Sequence, residues 1–276
     1  MLGNMLTGWC DNQLNILPVP QKIEMGEGTF LVKKGLTIVS SDAKDFSANF
    51  LQDKLEPLFD FPINLSRQSV NDGYISFVTD KSLPEEGYRL DVSTKGITIA
   101  SADEAGKYYG VQTLLQLFPS EVYSGERLRL KEFPMEVVTV EDAPRFGYRG
   151  FMLDVSRTFF ELDYLKSYID WMSFHKLNKL HLHLTDDNGW RIEIKKYPEL
   201  TTVGAKRSGT CIKKDFSTTD GIPYGEGMFY TQDQIREVIA YAAAKGIDII
   251  PEIDLPGHML AALAAYPELG CTGGPY

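Results

Sequence analysis

The sequence is poor in cysteine, and it lacks both a long apolar run and a cluster of basic residues. Its three cysteines, Cys10, Cys211 and Cys271, are odd in number and widely spaced, so they form neither a disulfide framework nor a zinc-binding pattern. No apolar run reaches the roughly 20 residues of a membrane-spanning helix. The formal net charge is −10, and no basic run interleaves with aromatic residues. We therefore expect no nucleic-acid partner and no membrane span.

Apolar residues are nevertheless plentiful enough for a folded core. Of the 276 residues, 43% are hydrophobic and 12% are aromatic, which excludes a disordered chain and indicates one or two domains. Residues 1–13, MLGNMLTGWCDNQ, are mildly apolar but have no basic region at their start, so they do not make a complete signal peptide. We expect them to be the remnant of a leader or a disordered start.

Short alternating strands dominate the first half of the chain, and two helices interrupt them. Residues 87–101 predict a β-hairpin, because two alternating runs flank a turn that contains glycine. Apolar periodicity predicts helices at 43–58 and 102–118. We therefore predict an α+β domain over residues 14–144, built on an antiparallel sheet with two helices and serving as structural support.

After a linker at 141–150, strands alternate with amphipathic helices, which is typical of a parallel sheet. One strand is predicted at 150–156, a second at the end of 176–185, and a third in 247–258, which also includes the loop after it. The helices are predicted at 162–175 and 231–246. No GxGxxG follows the first strand, so a dinucleotide-binding fold lacks its fingerprint. We predict an α/β domain over 145–276 that holds the first three βα units of a (β/α)8 barrel, which is incomplete because the full fold needs eight units and roughly 250 residues.

Polar residues gather where each of these strands ends. They lie at Asp154 to Arg157, Thr185 to Asp187 and Glu252 to His258. Barrel enzymes keep their chemistry at the C-terminal ends of the strands, so we expect a site there. The planar guanidinium of Arg157 suits vicinal hydroxyls or a carboxylate, but from the residue alone we favour an arginine in a surface loop.

His181 and His183 alternate with leucines, and strand alternation places both histidines on one face. One interpretation is the start of a metal site in a metal-dependent barrel hydrolase, but catalytic zinc usually has three protein ligands. The other histidines of the chain are His175, inside a predicted helix, and His258. We favour the interpretation that His181 and His183 fill the barrel interior and hydrogen-bond to their neighbours.

The carboxylates at the strand ends allow more than one interpretation. Asp186 and Asp187 are adjacent, so their side chains diverge, and DDNG is also favourable turn chemistry. Glu252 and Asp254 share a strand face, but two acids on one strand do not easily flank a glycosidic bond as a glycosidase requires. Asp254 could orient His258, as carboxylates commonly fix an imidazole tautomer. A polar network that only fills the interior is the equal alternative.

Taken together, these segments resemble the family 20 glycoside hydrolases, the β-N-acetylhexosaminidases. The resemblance rests on RGFMLDVSRTFF, on the run KLNKLHLHLTDDNGWRIEIKKYPELTTVGA and on YTQDQIREVIAYAAAKGIDIIPEIDLPGH, followed by AALAAYPEL. It covers residues 145–276, with DDNGW and PEIDLPGH as its most specific parts. The preceding domain is similar to the family's N-terminal domain.

The resemblance implies removal of terminal β-linked GlcNAc or GalNAc from non-reducing ends. In this family the 2-acetamido oxygen of the substrate attacks C1, so configuration is retained by substrate assistance. An adjacent Asp–Glu pair does the protein's work: the Asp orients the acetamide and the Glu protonates the leaving oxygen. The implied partner is an amino-sugar oligosaccharide or glycoconjugate, and no cofactor or metal is implied.

Carried over by motif, Arg157 would hold the 3- and 4-hydroxyls of the terminal sugar. Asp186 and His258 would form a hydrogen-bonded relay behind the catalytic Glu and help to set its pKa. The resemblance and the strand pattern assign a supporting position to Asp254, His183 and Glu252.

One part of the family's pattern is missing. The Asp–Glu pair follows the fourth strand as a GGDE-like segment, and residues 1–276 contain no such segment. We expect a truncated product that is inactive as it stands and that self-associates through an open barrel edge. A non-catalytic carbohydrate-binding protein is the remaining alternative. The family's usual substrates predict a periplasmic or extracellular location.

Overall fold

The computed structural model describes residues 14–212 and 215–276 of the chain. It divides the chain into two compact units, the first ending at Gly147 and the second beginning at Tyr148. The predicted leader remnant at residues 1–13 lies outside the described residues. Among the described residues, no helix is long and apolar enough to cross a membrane.

The first unit consists of a large sheet and short helices. In chain order its described strands are β1 (Lys22–Lys33), β2 (Thr37–Val39), β3 (Asn64–Ser66), β4 (Tyr74–Thr79), β5 (Tyr88–Val92), β6 (Gly96–Ser101) and β7 (Glu132–Asp142). The helices are α1 (Phe46–Leu55), α2 (Glu104–Leu115) and α3 (Glu121–Ser124), with a 3-10 turn at Glu56–Leu58.

The prediction of an antiparallel sheet is wrong for half of this unit. The strand order is β1-β7-β5-β6-β4-β2-β3. The pairs β1–β7, β7–β5 and β5–β6 are antiparallel, whereas β6–β4, β4–β2 and β2–β3 are parallel. Helix α1 lies in the connection between β2 and β3, and such a crossover returns the chain to the same end of the sheet. Local alternation identifies strands but not their partners, so the mixed sheet was not visible in it.

Both long helices of the first unit begin later than their apolar periodicity predicts. The side chain of Asp45 accepts a hydrogen bond from the Ala48 N–H at 3.2 Å and fixes the start of α1. The side chain of Asp103 does the same for α2 through the Gly106 N–H at 2.8 Å. A capping aspartate satisfies an amide that has no partner within the helix, so the cap, not the first apolar residue, sets the boundary.

The second unit is a three-stranded parallel sheet with helices and an inserted segment. Its elements are β8 (Gly150–Asp154), α4 (Leu162–Phe174), β9 (Lys179–His183), β10 (Thr185–Asp186), β11 (Gly189–Trp190), α5 (Glu199–Thr202), β12 (Cys211–Ile212), β13 (Asp215–Thr219), α6 (Gln232–Ala243), β14 (Asp248–Glu252) and α7 (Leu260–Ala265), with a 3-10 turn at Pro267–Leu269. The strands β14, β9 and β8 lie side by side in that order, all parallel. The predicted βα order is therefore found in this unit.

The two faces of β9 have different surroundings. Leu180, Leu182 and Leu184 are buried in one cluster with apolar residues of α4 and α6. The histidines between them point to the opposite face, as alternation predicts. Helix α6 begins with a capping box, in which Thr231 and Gln234 each accept a hydrogen bond from the other's backbone. The helices thus cover the leucine face and leave the histidine face for the site.

Candidate active site

The three parallel strands of the second unit end in register with an ionisable side chain on each. Asp154 at the end of β8 is paired with His183 at the end of β9, and His183 is paired with Glu252 at the end of β14. The carboxyl ends of parallel strands form one edge of a sheet, where barrel enzymes place their catalytic residues. Polar side chains that are distant in sequence therefore meet here.

Glu252 connects the two histidines of β9. Its Oε2 lies 2.5 Å from His181 Nε2, and its Oε1 lies 3.1 Å from His183 Nδ1. Burial of the Glu252 carboxyl raises its pKa, but the hydrogen bond and charge of His183 and the nearby His181 outweigh this effect and lower the pKa below its usual value. The interpretation that both histidines bond to interior neighbours agrees with these contacts.

Asp186 is the most buried carboxylate of the cluster and contacts residues from three segments. Its side chain is 2% exposed, and its Oδ2 contacts the guanidinium of Arg157, His183 Nε2 at 2.9 Å and His258 Nδ1 at 3.3 Å. Its Oδ1 accepts a hydrogen bond from the Asp187 N–H at 2.7 Å. The structure thus brings the predicted pair Asp186 and His258 together, and it adds Arg157 to the same oxygen.

Arg157 is anchored on one side and open on the other. Its guanidinium Nη1 lies 2.8 Å from Asp154 Oδ2, and its backbone N–H donates to Asp154 Oδ1 at 3.0 Å. Burial raises the pKa of Asp154, but these bonds and the charge of Arg157 lower it below its usual value. The Arg157 side chain as a whole remains 42% exposed, so it lies at the solvent-facing side of the cluster.

Asp187 and Asp254 occupy peripheral positions in the cluster. Asp187 is half-exposed, and its Oδ1 accepts a hydrogen bond from the Leu260 N–H at 3.0 Å, at the start of α7. The backbone N–H of Asp254 donates to Thr185 Oγ1 at 3.1 Å. The carboxylate of Asp254 lies beside His183 and Glu252 and makes no ion pair with His258 among the described residues. Asp254 follows the end of β14 and lies on the Glu252 side, so the side chains beside His258 are those of Asp186 and Asp187 instead.

Two trios of these side chains are close enough together to be compared with metal sites. The ligand atoms of His183, Glu252 and Asp254 lie within 4.8 Å of one another, as do those of Asp186, Asp187 and His258. His181 belongs to neither trio, so the HxH pattern does not present both of its histidines to one point. The imidazole nitrogens of His183 already face carboxylates on both sides, and carboxylates close to histidines are common without a metal.

Sequence reasoning missed Arg191, which is the largest fully buried side chain of the chain's described residues. Its guanidinium donates to the backbone carbonyls of Ser156 (3.0 and 3.1 Å), Ala205 (2.7 Å), Met228 (2.9 Å) and Asn188 (3.4 Å). Burial lowers its pKa to about 10. An arginine in the apolar run GWRIEI was the available signal. The hydrogen bonds of Arg191 thus connect the loop that carries Arg157 with the backbone at Ala205 and Met228.

A second contact from the inserted segment was also missed. Arg207 packs over the ring of Tyr224 at 4.0 Å and donates to the Arg157 carbonyl at 3.1 Å. The Tyr224 hydroxyl accepts a hydrogen bond from the Phe159 N–H at 2.8 Å. Long-range contacts of this kind leave no local pattern, so only the fold reveals that the insertion holds the backbone around Arg157.

Comparison with known families gives the same assignment across nearly the whole chain. Residues 146–275 match the catalytic domain of glycosyl hydrolase family 20, and residues 13–143 match domain 2 of that family. A beta-hexosaminidase of Porphyromonas gingivalis is 43% identical over 267 residues, which are 95% of this chain and 33% of that protein. A beta-hexosaminidase of Vibrio furnissii is 38% identical over 257 residues, which are 92% of this chain and 40% of that protein.

Solved structures agree with the sequence comparisons. A beta-hexosaminidase mutant of Streptomyces plicatus in complex with the product GlcNAc has a TM-score of 0.82 and 37% identity, over 94% of this chain and 49% of that one. The beta-N-acetylhexosaminidase of Bacteroides fragilis has a TM-score of 0.78 and 36% identity, over 95% of this chain and 48% of that one. The chain therefore spans between a third and a half of the length of these relatives.

Proposed function

Because the chain belongs to glycosyl hydrolase family 20, we propose that it supplies the sugar-holding part of a β-N-acetylhexosaminidase site. We assign residues 145–276 to the first part of the TIM-barrel catalytic domain and residues 14–144 to the supporting N-terminal domain. The proposed substrates are glycans with terminal non-reducing β-linked GlcNAc or GalNAc. Because such glycans usually lie outside the cell, we propose a periplasmic or extracellular location.

The observation that carries this proposal is the convergence on Asp186 Oδ2. The guanidinium of Arg157, whose side chain is partly exposed, and the His258 ring, 3.3 Å away, both contact this one oxygen. We assign Arg157 to the 3- and 4-hydroxyls of the terminal sugar, since a guanidinium presents several donors in one plane. We assign Asp186 and His258 to a relay that reaches the general acid, whose pKa must lie near the operating pH.

The chemistry proposed for the complete site is retaining and substrate-assisted. The 2-acetamido oxygen attacks C1 while a glutamic acid protonates the leaving oxygen, and water then opens the oxazolinium intermediate. Asp254, His183 and Glu252 touch neither the sugar nor the acid in this assignment, and they hold the relay from behind. No step requires a metal or cofactor.

The acid and its neighbouring aspartate would come from a GGDE-like segment, which residues 1–276 do not contain. We therefore propose that these residues alone do not hydrolyse the substrate. We also propose that they self-associate through the edge strands β8 and β14, because Phe151 is 58% and Met152 is 50% exposed on β8. Unpaired strand edges and apolar surface both promote such association.

A complementation experiment tests this function. Residues 1–276 alone and residues 1–276 joined to the remaining barrel segment of the Porphyromonas gingivalis relative are assayed with an aryl β-N-acetylglucosaminide. We expect hydrolysis only by the joined protein. Arg157→Ala in the joined protein should raise KM about 10- to 100-fold, the value of roughly 1.5–3 kcal/mol for a charged hydrogen bond.

Three outcomes would count against the proposal. A monomeric chain of residues 1–276 that hydrolyses the substrate would contradict its inactivity alone. A joined protein that folds but whose KM is insensitive to Arg157→Ala would contradict the role of this residue. Stoichiometric zinc in the purified protein, measured by elemental analysis, would favour the metal-dependent hydrolase instead.

A further inference from the structure

His183 lies at the centre of the cluster with a carboxylate at each ring nitrogen. Its side chain is 6% exposed, its Nε2 lies 2.9 Å from Asp186 Oδ2, and its Nδ1 lies 3.1 Å from Glu252 Oε1. A neutral imidazole has one N–H donor and one acceptor nitrogen, whereas an imidazolium has two donors. A neutral ring would therefore set a nitrogen lone pair against one of the two carboxylates.

The charges around the ring favour the protonated form. Carboxylates approach it from each neighbouring strand end, and the opposing fixed charge is the guanidinium of Arg157. The groups that face it after β8 are Asp154 and Arg157. From β9 itself the neighbouring group is His181, and from the β10–β11 hairpin after β9 it is Asp186. Those from β14 and the loop after it are Glu252, Asp254 and His258.

One contact competes with this protonation state. Nη1 of Arg157 lies 3.0 Å from His183 Nε2 and could donate to a neutral ring. That arrangement would leave Asp186 Oδ2, at 2.9 Å, facing the same lone pair. With a protonated ring, the Asp186 oxygen instead lies between two cations. Burial of the ring lowers the pKa of His183, but its hydrogen bonds to Asp186 and Glu252 and the charges of Glu252 and Asp154 outweigh this and raise the pKa.

We infer that His183 is a positioning residue that carries a positive charge, donating from Nε2 to Asp186 and from Nδ1 to Glu252. The imidazolium thereby holds the one carboxylate oxygen on which Arg157 and His258 meet. It links the proposed sugar-holding residue to the proposed relay without touching either the sugar or the acid. Its consequence for turnover rests on the proposed function, whereas its charge and its contacts do not.

Nitrogen NMR of residues 1–276 labelled with 15N-histidine tests the charge directly. We expect both ring nitrogens of His183 to carry protons at about pH 7.5, one unit above the ordinary histidine pKa of about 6.5. The signals are assigned by their loss in His183→Gln. A spectrum of wild-type protein showing one protonated and one unprotonated His183 nitrogen at that pH would overturn the inference.

Two variants separate the charge of Glu252 from general effects of substitution. Glu252→Gln should lower the midpoint of the His183 titration by about one to three pH units, since a neighbouring opposite charge shifts a pKa by that amount. Glu237→Gln is the matched control, because Glu237 pairs with Lys166 on the surface. If His183 titrates with the same midpoint in the wild-type protein and in a folded Glu252→Gln variant, the proposed hydrogen bond from His183 Nδ1 to Glu252 is wrong.

The positioning role has its own signature. The Arg157 Nε–H signal and the His258 ring signals should each report the His183 midpoint in the wild-type protein, because all three residues meet at Asp186 Oδ2. His183→Gln should remove that midpoint from both sets of signals. If His183 titrates but neither Arg157 nor His258 senses it, the imidazolium is a structural charge only and the positioning role is wrong. None of these spectra depends on turnover, so they stand apart from the hydrolysis assay.

Discussion

The two units bury their polar side chains in different ways. In the first unit, Ile97 and Ile99 are fully buried in the central strand, and the buried Tyr88 hydroxyl pairs with Thr113 Oγ1 at 2.6 Å. Where this unit buries a carboxylate, Asp45, the group caps α1. In the second unit, the ionisable side chains of His183 and Asp186 are buried beside each other at the strand ends.

This difference shows which charges the fold itself requires. Helix caps and hydroxyl pairs satisfy polar groups that every helix and sheet must satisfy. Among the described residues the Asp186 carboxylate itself caps no helix, because the backbone N–H that it accepts is that of Asp187. Its burial costs free energy unless its charge is paired. This contrast supports the proposal that the cluster serves a site, whereas the first unit's buried polar groups stabilise its fold.

The largest loss in the free energy of unfolding is expected from substitution of Arg191, a buried charged residue of the second unit that stabilises its fold. Arg191→Met removes donors from the carbonyls of Ser156, Ala205, Met228 and Asn188. Each buried unsatisfied group costs about 1–3 kcal/mol, so we expect a loss of about 4 kcal/mol or more. Urea unfolding followed by circular dichroism measures it. A loss below about 1 kcal/mol would show that this guanidinium is not a structural tie.

A core substitution in the first unit should give the next largest effect. Ile97 is fully buried in β6, so Ile97→Ala should lower the free energy of unfolding by about 2–5 kcal/mol. The loss should be equal at acidic and alkaline pH, because no ionisable group is involved. A loss that varies by more than about 1 kcal/mol between these conditions would break the contrast with the second unit.

The order of βα elements, the leucine face of β9 and the capping box of α6 follow from local sequence, because periodicity and capping are short-range properties. The parallel half of the first sheet does not, since strand partners are set by contacts between distant residues. In the site, the strand-end pattern drew attention to Arg157, Asp186 and His258, and the roles predicted for them came from the resemblance to family 20. Local sequence does not predict that Arg157 and His258 meet at one oxygen of Asp186. It also does not predict the position of Asp254 or the hydrogen bonds of Arg191, because these contacts join residues that are distant in the chain.

The strand-end cluster should make the stability of the second unit pH-dependent. The raised pKa of His183 means that its contribution is full below its unfolded value of 6.5 and is lost as pH rises through the folded value. The lowered pKa of Glu252 means that its contribution is present above 4.5 and is lost as pH falls. We therefore expect the free energy of unfolding of the second unit to fall at pH values above 6.5 and below 4.5.

Urea unfolding measured from below pH 4.5 to above pH 6.5 reports both the acidic loss that we assign to Glu252 and the alkaline loss that we assign to His183. His183→Gln should flatten the alkaline limb and leave the Ile97→Ala loss unchanged. A wild-type protein whose second unit has the same stability at about pH 5.5 and about pH 8.5, on either side of the ordinary histidine value, would contradict the linked charges.

The smallest effect is expected at the start of α6. Thr231→Ala removes the side-chain oxygen that accepts from the Gln234 N–H at 3.2 Å. Loss of an N-cap costs about 1 kcal/mol, and thermal unfolding should report it at every pH in the same measure. Sugar binding should not change, because the cap belongs to the fold. If Thr231→Ala altered sugar binding, the assignment of this cap to the fold alone would be wrong.

The most direct test of a sugar site at the strand ends is a titration of N-acetylglucosamine into 15N-arginine-labelled residues 1–276. Arg157 is the proposed contact, and Arg89, paired with Asp91 in the first unit at 2.9 Å, is the internal reference. We predict a saturable shift of the Arg157 Nε–H signal with an affinity near about 1 mM, or −4.1 kcal/mol, and an unchanged Arg89 signal. No shift at Arg157, or equal shifts at both arginines, would contradict the account.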